Sequence, residues 1–192
     1  MTSQNQWEDF LNPTIAQERL IFASLYITGY EMLKDSVVGR IKDFYCDGFS
    51  EGNLTFSPDY QKKVLDLNKS PLYASLQWLK NSEAIDESDI KIFEDLKKHR
   101  NLLVHELPEL IFSGKLISSI DHFQKAIELL RKIETWWLIN VEIPINPGFD
   151  GADVNPDEVL AGPVMMMQIM LEVLSGNETL LKQFQDARDK YP

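Results

Sequence analysis

The segment from Glu94 to Leu107, EDLKKHRNLLVHEL, carries the residues of this chain best suited to acid–base and anion chemistry. Arg100 falls among the apolar residues of the helix that the spacing predicts, in a stripe made of Phe93, Leu96, Leu103, Val104 and Leu107. A guanidinium on the core side of a helix is costly unless it is paired and hydrogen-bonded. We therefore expect Arg100 to reach a cleft or a waiting carboxylate, since its planar fork holds a carboxylate or a phosphate in two bonds.

Two more polar side chains follow Arg100 on the same helix. Asn101 and His105 are one turn apart, and both lie roughly 100–140° round the helix from Arg100. An imidazole titrates near neutrality and can act as general acid or base, while a positioned guanidinium stabilises charge on a phosphate. Leu102 is expected to be exposed, which favours a partner on this face, such as a second copy related by a two-fold axis.

A structural interpretation of the same three residues is also open. In it, Arg100 is a boundary residue paired with an acidic neighbour, Asn101 lies on the surface, and His105 is a half-buried, hydrogen-bonded imidazole.

The elements around this helix are predicted to be helices as well. Apolar residues at three- and four-residue steps predict a long first helix from Thr14 to about Tyr45. Further helices are predicted at 70–82, 86–107 and 118–143, and no segment predicts a strand. We expect an all-α, up-and-down bundle of four to five helices over residues 1–143. Residues 144–192 are interpreted as a Pro/Gly-rich linker and two short C-terminal helices, 163–174 and 177–190, packed on the same domain.

Composition narrows the possible functions. The 192 residues carry a formal net charge of −11, which disfavours a broad phosphate-binding surface, although Lys97, Lys98, His99 and Arg100 form a small basic spot. Cys46 is the single cysteine, so no intrachain disulfide is expected. The sequence has no Gly-rich phosphate loop, no Cys/His spacing typical of a zinc site and no nucleophile-elbow sequence. We therefore expect no metal and no cofactor. Without a signal sequence or a long apolar run, a cytoplasmic protein with no membrane contact is expected.

A methionine cluster, a pair of tryptophans and His122 are interpreted mainly as structural residues. The methionines of the predicted helix 163–174 are interpreted as core filling, with a docking surface as the alternative: Met165, Met166, Met167 and Met170. Of Trp136 and Trp137, one is expected in the core and the other at a helix or subunit contact. His122 is expected to be a surface or boundary residue, because the spacing suggests no partner for it.

The order Arg100-Asn101-Leu102-Leu103-Val104-His105 resembles the signature of the HEPN superfamily (higher eukaryotes and prokaryotes nucleotide-binding). In that signature an Arg, usually followed by a polar residue, precedes a His by four to six positions on a late helix of a helical bundle. The resemblance covers about residues 14–143.

The resemblance implies a metal-independent endoribonuclease of a toxin, defence or stress system, acting as a homodimer with two Arg/His motifs in one cleft. Arg100 would then hold the scissile phosphate, His105 would serve as general base or acid, and Asn101 would orient the phosphate or the imidazole. RNA would be the substrate, and an antitoxin or another protein a possible partner. Members controlled by an adenylyl-transferring antitoxin often carry Tyr two positions after the His, where this chain has Leu107. Non-catalytic members also occur, so a helical dimeric interaction or nucleotide-binding module is the alternative.

Overall fold

A computed structural model describes residues 3–113, 120–149 and 154–190. The longer helices are α1 (Ser3–Leu11), α2 (Pro13–Phe44), α4 (Pro71–Asn81), α5 (Glu87–Ser113), α6 (Ile120–Trp137), α8 (Gly162–Ser175) and α9 (Thr179–Lys190). Two short helices, α3 (Pro58–Lys63) and α7 (Ile143–Ile145), and a hairpin of β1 (Cys46–Ser50) and β2 (Asn53–Phe56) complete the fold. The all-α prediction is confirmed.

Helix α2 is the central element of the bundle. Pro13 occupies its first turn, and Asn12 caps it by accepting a hydrogen bond from the Thr14 amide at 3.0 Å. Helices α4, α5, α6 and α8 all contact it. Its buried side chains, among them Tyr26, Leu33 and Ile41, lie at three-, four- and seven-residue spacings and form one wall of the core.

The prediction that no segment forms a strand was wrong. Strands β1 and β2 pair antiparallel, with Ser50 opposite Asn53 and Cys46 opposite Phe56. Glu51 and Gly52, which connect them, both have positive φ angles of 52° and 83°, as a tight hairpin turn requires. A glutamate rarely adopts that conformation, so the turn has a weak sequence signal.

The C-terminal helices differ in how they pack. Val164 and Met167 of α8 are buried in the core shared with α2 and α6. Met170 is half-buried and packs against this core, whereas Met165 and Met166 are exposed. The core interpretation of the methionines is therefore confirmed for Met167 and Met170 and wrong for Met165 and Met166. The described side chains of α9 are all exposed. The division of the chain at residue 143 stays a prediction.

The predicted fourth helix, 118–143, is α6 followed by a π-helical turn, Leu138–Glu142, and α7; residues 118 and 119 lie outside the described residues. Trp137 is buried and Trp136 is half-buried against Trp78, as expected for neighbouring positions on a helix. Within the described part of the chain, no helix has the length and apolar character needed to span a bilayer.

Candidate functional site

Helix α5 presents the predicted site residues. Asp86 caps its first turn, because the Asp86 carboxylate accepts from the Ser88 amide at 2.7 Å and the Asp89 amide at 3.1 Å. The helix does not stop before Pro108 as predicted; it kinks at Glu106, whose φ of −118° and ψ of 17° are not helical, and continues to Ser113. Pro108 explains the kink, because its ring and missing N–H disrupt the preceding turn.

Arg100 reaches a carboxylate on the neighbouring helix. Its Nη2 donates to Glu31 Oε1 of α2 at 2.5 Å, and its guanidinium carbon lies 5.8 Å from the centre of the Tyr30 ring. The side chain is 29% exposed, and its Nε is buried with no hydrogen-bond partner among the described residues. The apolar stem therefore packs in the stripe while the charged end remains at the surface between α5 and α2.

The electrostatics around Arg100 follow from this contact. The hydrogen bond from Lys34 is the main reason that the pKa of Glu31 lies below its usual value; burial opposes it and Arg100 adds to it. Burial raises the pKa of Tyr30 to about 12, with Glu31 adding to the rise and Arg100 opposing it. Glu31 is thus an anion at neutral pH, and it competes with any phosphate for Arg100.

Asn101 is joined to Arg100, whereas His105 points elsewhere. Arg100 Nη1 donates to Asn101 Oδ1 at 3.3 Å. His105 is exposed, five positions and about 140° round the helix from Arg100. Within the described ranges no hydrogen bond, ion pair or ring contact engages its imidazole. The structure therefore brings Arg100 and Asn101 together within one chain, and leaves His105 as a separate group one turn beyond Asn101.

Exposed apolar side chains flank this polar line. Leu102 is exposed as expected. Val104, expected in the apolar stripe, is 44% exposed, whereas Leu103 beside it is fully buried. Apolar and polar groups therefore alternate on the solvent side of α5 around His105.

The four side chains of the predicted basic spot, residues 97–100, point to different surroundings. Lys97 bonds the Tyr73 hydroxyl at 3.3 Å and lies over its ring, and Arg100 faces Glu31. His99 turns towards Tyr26, so Lys98 is the exposed cation of the four. This surface has little of the concentrated positive charge on which phosphate binding depends.

A stacked histidine pair, His99 and His122, was missed by the sequence patterns. The two rings lie 4.6 Å apart and nearly parallel, at 9°, between α5 and α6. His122 Nε2 lies 3.2 Å from Asp95 Oδ2, its Nδ1 is buried without a hydrogen-bond partner among the described residues, and Tyr26 packs edge-on against His99. His122 is half-buried, as expected for a boundary residue, and it has partners that its spacing did not suggest. The four-residue spacing of Asp95 and His99 could have marked one half of this cluster.

Burial lowers the pKa of His99 below its ordinary value; the neighbouring His122 lowers it further, while Asp95 opposes both. Burial also raises the pKa of Tyr26 beyond its usual range, with Asp95 and Tyr30 adding to the rise. A neutral imidazole is therefore favoured at His99 at neutral pH.

A second buried charge lies at Glu134, which is 1% exposed. It accepts from the Ser36 hydroxyl at 2.6 Å and pairs with Arg40, whose Nη1 also donates to Glu142 at 2.6 Å. Glu134 falls within the apolar stripe of α6 as Arg100 does in α5, and that sequence signal could have found it. These residues join α2, α6 and the π-helical turn, where cavities of about 330 and 290 Å³ adjoin the Arg40–Glu134 pair.

No protein-family model, no curated protein and no solved structure matches this chain. The resemblance to the HEPN superfamily therefore stays a prediction based on its motif. Among the described residues, no group of three or more His, Cys, Asp or Glu side chains is arranged to hold a metal ion.

Proposed function

We propose that this chain is a HEPN-like endoribonuclease that cuts RNA through the ribose 2′-OH, with Arg100, Asn101 and His105 in a cleft between two copies. The observation that carries the proposal is the exposed, unengaged imidazole of His105 one turn from Asn101, which is itself bonded to Arg100. Exposed Leu102 and Val104 beside these residues supply apolar surface for a second copy.

The chemistry needs two proton transfers. One imidazole removes the proton of the 2′-OH as that oxygen bonds to phosphorus, and a second donates a proton to the leaving 5′ oxygen. The products are a 2′,3′-cyclic phosphate and a 5′-hydroxyl. A two-fold dimer supplies both imidazoles as two copies of His105. Arg100 would bind the phosphate through the second N–H of Nη1, since the first donates to Asn101 and Nη2 is paired with Glu31.

The test is cleavage of single-stranded RNA by the purified chain in the presence of a chelator. We expect His105→Ala to reduce the rate at least about 100-fold, the usual contribution of a general acid or base. Lys91→Ala, an exposed change on the same helix, is the matched control and should cut as fast as wild type. Circular dichroism and light scattering would check fold and oligomeric state in each variant. RNA that stays intact with wild type, or an active His105→Ala variant, contradicts the proposal.

One observation favours the alternative, a non-catalytic helical interaction module. Arg100 is already paired with Glu31 and packed over Tyr30, as a residue that ties α5 to α2 would be. In that case the wild-type chain leaves RNA intact, and Arg100→Ala lowers the free energy of unfolding while His105→Ala does not. The same set of variants therefore distinguishes the two functions.

A further inference from the structure

Helix α8 has an apolar surface on its solvent side as well as on its core side. Its core side contains Val164 and Met167. Its solvent side consists of exposed Met165, Met166, Ile169 and Val173, which fall within about 100° of one another on the helix. Glu172 is the single charged residue in the fourteen residues of α8. A helix usually has a polar solvent side, and an apolar solvent side such as this one is normally buried against a second partner.

Helix α9 is amphipathic, but its apolar side is exposed instead of packed on a core. Leu180, Leu181 and Phe184 form an apolar stripe on one side, and Phe184 is 67% exposed. Polar residues occupy the other sides, as in a helix that covers a core. A twelve-residue helix without tertiary packing is marginally stable in water, so α9 also requires a partner.

Within one chain the two surfaces do not meet. Gly176, with a φ of 66°, ends α8, and the Leu180 amide donates to Glu172 Oε2 at 3.1 Å, which ties the first turn of α9 to the last turn of α8. Beyond that turn the described α9 side chains are exposed, and so is the outer face of α8.

We propose that two copies of this chain form a dimer by exchanging α9, so that the apolar stripe of each α9 lies on the outer face of the partner's α8. The same chain carries both the uncovered helix and an amphipathic helix able to cover it, and a two-fold axis pairs the two contacts at once. The outer face of α8 carries no charged residue, whereas Arg188 falls on the α9 stripe at the turn after Phe184. The charge of Arg188 is opposite in sign to the net charge of −11.

The exposed apolar area of α8 and α9 is close to what a contact with a second copy of this chain requires. At about 150–200 Å² for each fully exposed apolar side chain, the exposed fractions of the seven residues leave roughly 600 Å² of apolar surface per copy. A stable interface buries about 800 Å² per partner, including its polar rim. The exchange does not rest on the proposed ribonuclease activity, since it involves neither Arg100 nor His105.

Analytical ultracentrifugation of the full chain tests the dimer. Leu102 and Val104 on α5 expose much less apolar area than the seven residues of α8 and α9, so the exchanged helices should hold the dimer. We expect a particle of twice the chain mass of 22.2 kDa. We expect a monomer for Ile169→Asp and for Phe184→Asp, because the α5 contact alone is too small to hold two copies. Lys182→Ala, on the polar side of α9, is the control and should remain dimeric. Because all three side chains are exposed or nearly so, each variant should keep the circular dichroism spectrum of the wild type.

Cysteine cross-linking tests the exchange itself. In a Cys46→Ser background, a chain with Ile169→Cys is mixed with a chain with Phe184→Cys and oxidised; a covalent heterodimer is expected. Replacing Phe184→Cys by Lys182→Cys should abolish that product. A monomeric wild type, including one that binds lipid vesicles instead, overturns the proposal. So does a dimer that survives both aspartate substitutions, because its interface then lies elsewhere, for example on α5.

Discussion

At the scale of single residues, the stacked histidine pair should make the free energy of unfolding depend on pH. The pKa of His99 lies below its ordinary value of 6.5, mainly because of burial. Below pH 6.5 the unfolded chain therefore binds a proton that the folded chain does not. The contribution of His99 to stability is fully present above pH 6.5, and it is lost as the pH falls towards the lowered pKa.

We therefore expect His99→Phe, which keeps an aromatic ring against Tyr26, to lose less stability than wild type between pH 7.5 and 5.5. Urea unfolding at the two pH values measures the difference. Among the described residues, the charged and titratable groups that face His99 include Asp95 on its own helix, Tyr26 of α2 and His122 of α6, and all three remain in the variant. Equal losses in the two proteins would mean that His99 does not titrate between folded and unfolded states.

Charged residues in apolar stripes were the most informative residue-scale signal in the sequence. Arg100 and Glu134 both interrupt a three-and-four spacing, and both turn out to be tied to α2, by Glu31 and by Arg40. The spacing predicts that a partner must exist. It does not predict which one, because the partners lie 69 and 94 positions away in the chain and meet only after the helices pack.

At the scale of elements, the contact of α2 with α6 depends on Gly29. A Cβ at Gly29 would lie 2.6 Å from Phe123 Cε2 and 3.0 Å from Met167 Cε, both on buried side chains. Alanine favours a helix over glycine by about 1 kcal/mol. Crowding a packed core costs about 1–3 kcal/mol, so the crowding should prevail in Gly29→Ala, with a lower melting temperature.

Gly39→Ala, on the same helix, is the matched control with the opposite expected sign. Its Cβ would meet only the carboxylate of Asp35, which is exposed and can rotate away. The gain in helix propensity, up to about 1 kcal/mol, should then appear as a higher melting temperature. If both variants change the melting temperature in the same direction, then the absence of a side chain at Gly29 is not needed for the close packing of α2 on α6.

The elements themselves were largely predictable, and the exceptions have physical causes. The long first helix appeared as α2 within one residue at each end, because its spacing and its Asn12-Pro13 start agree. The hairpin was missed because its turn relies on Glu51 in a conformation that favours glycine. The continuation of α5 past Pro108 was missed because a proline that ends one helical segment also suits the first turn of the next.

At the scale of the whole molecule, the two C-terminal helices should contribute to different properties. Val164 and Met167 place α8 in the core, while α9 is expected to contribute only to the dimer. A chain ending at Gly176 should therefore be monomeric, with the unfolding free energy of the wild-type monomer. A chain ending at Asn146 also loses α8, and burying two such side chains contributes about 3–6 kcal/mol.

Urea unfolding of the two truncated chains, compared with each other, measures that difference without the effect of dimerisation on apparent stability. We expect the chain ending at Asn146 to unfold at a lower urea concentration, with a broader transition, because the side of Phe123 and Gly29 that faces Met167 becomes exposed. Equal midpoints would show that residues 1–146 fold independently of α8. The boundary predicted at residue 143 would then separate two units, and the proposed exchange would involve an appendage rather than the core of the bundle.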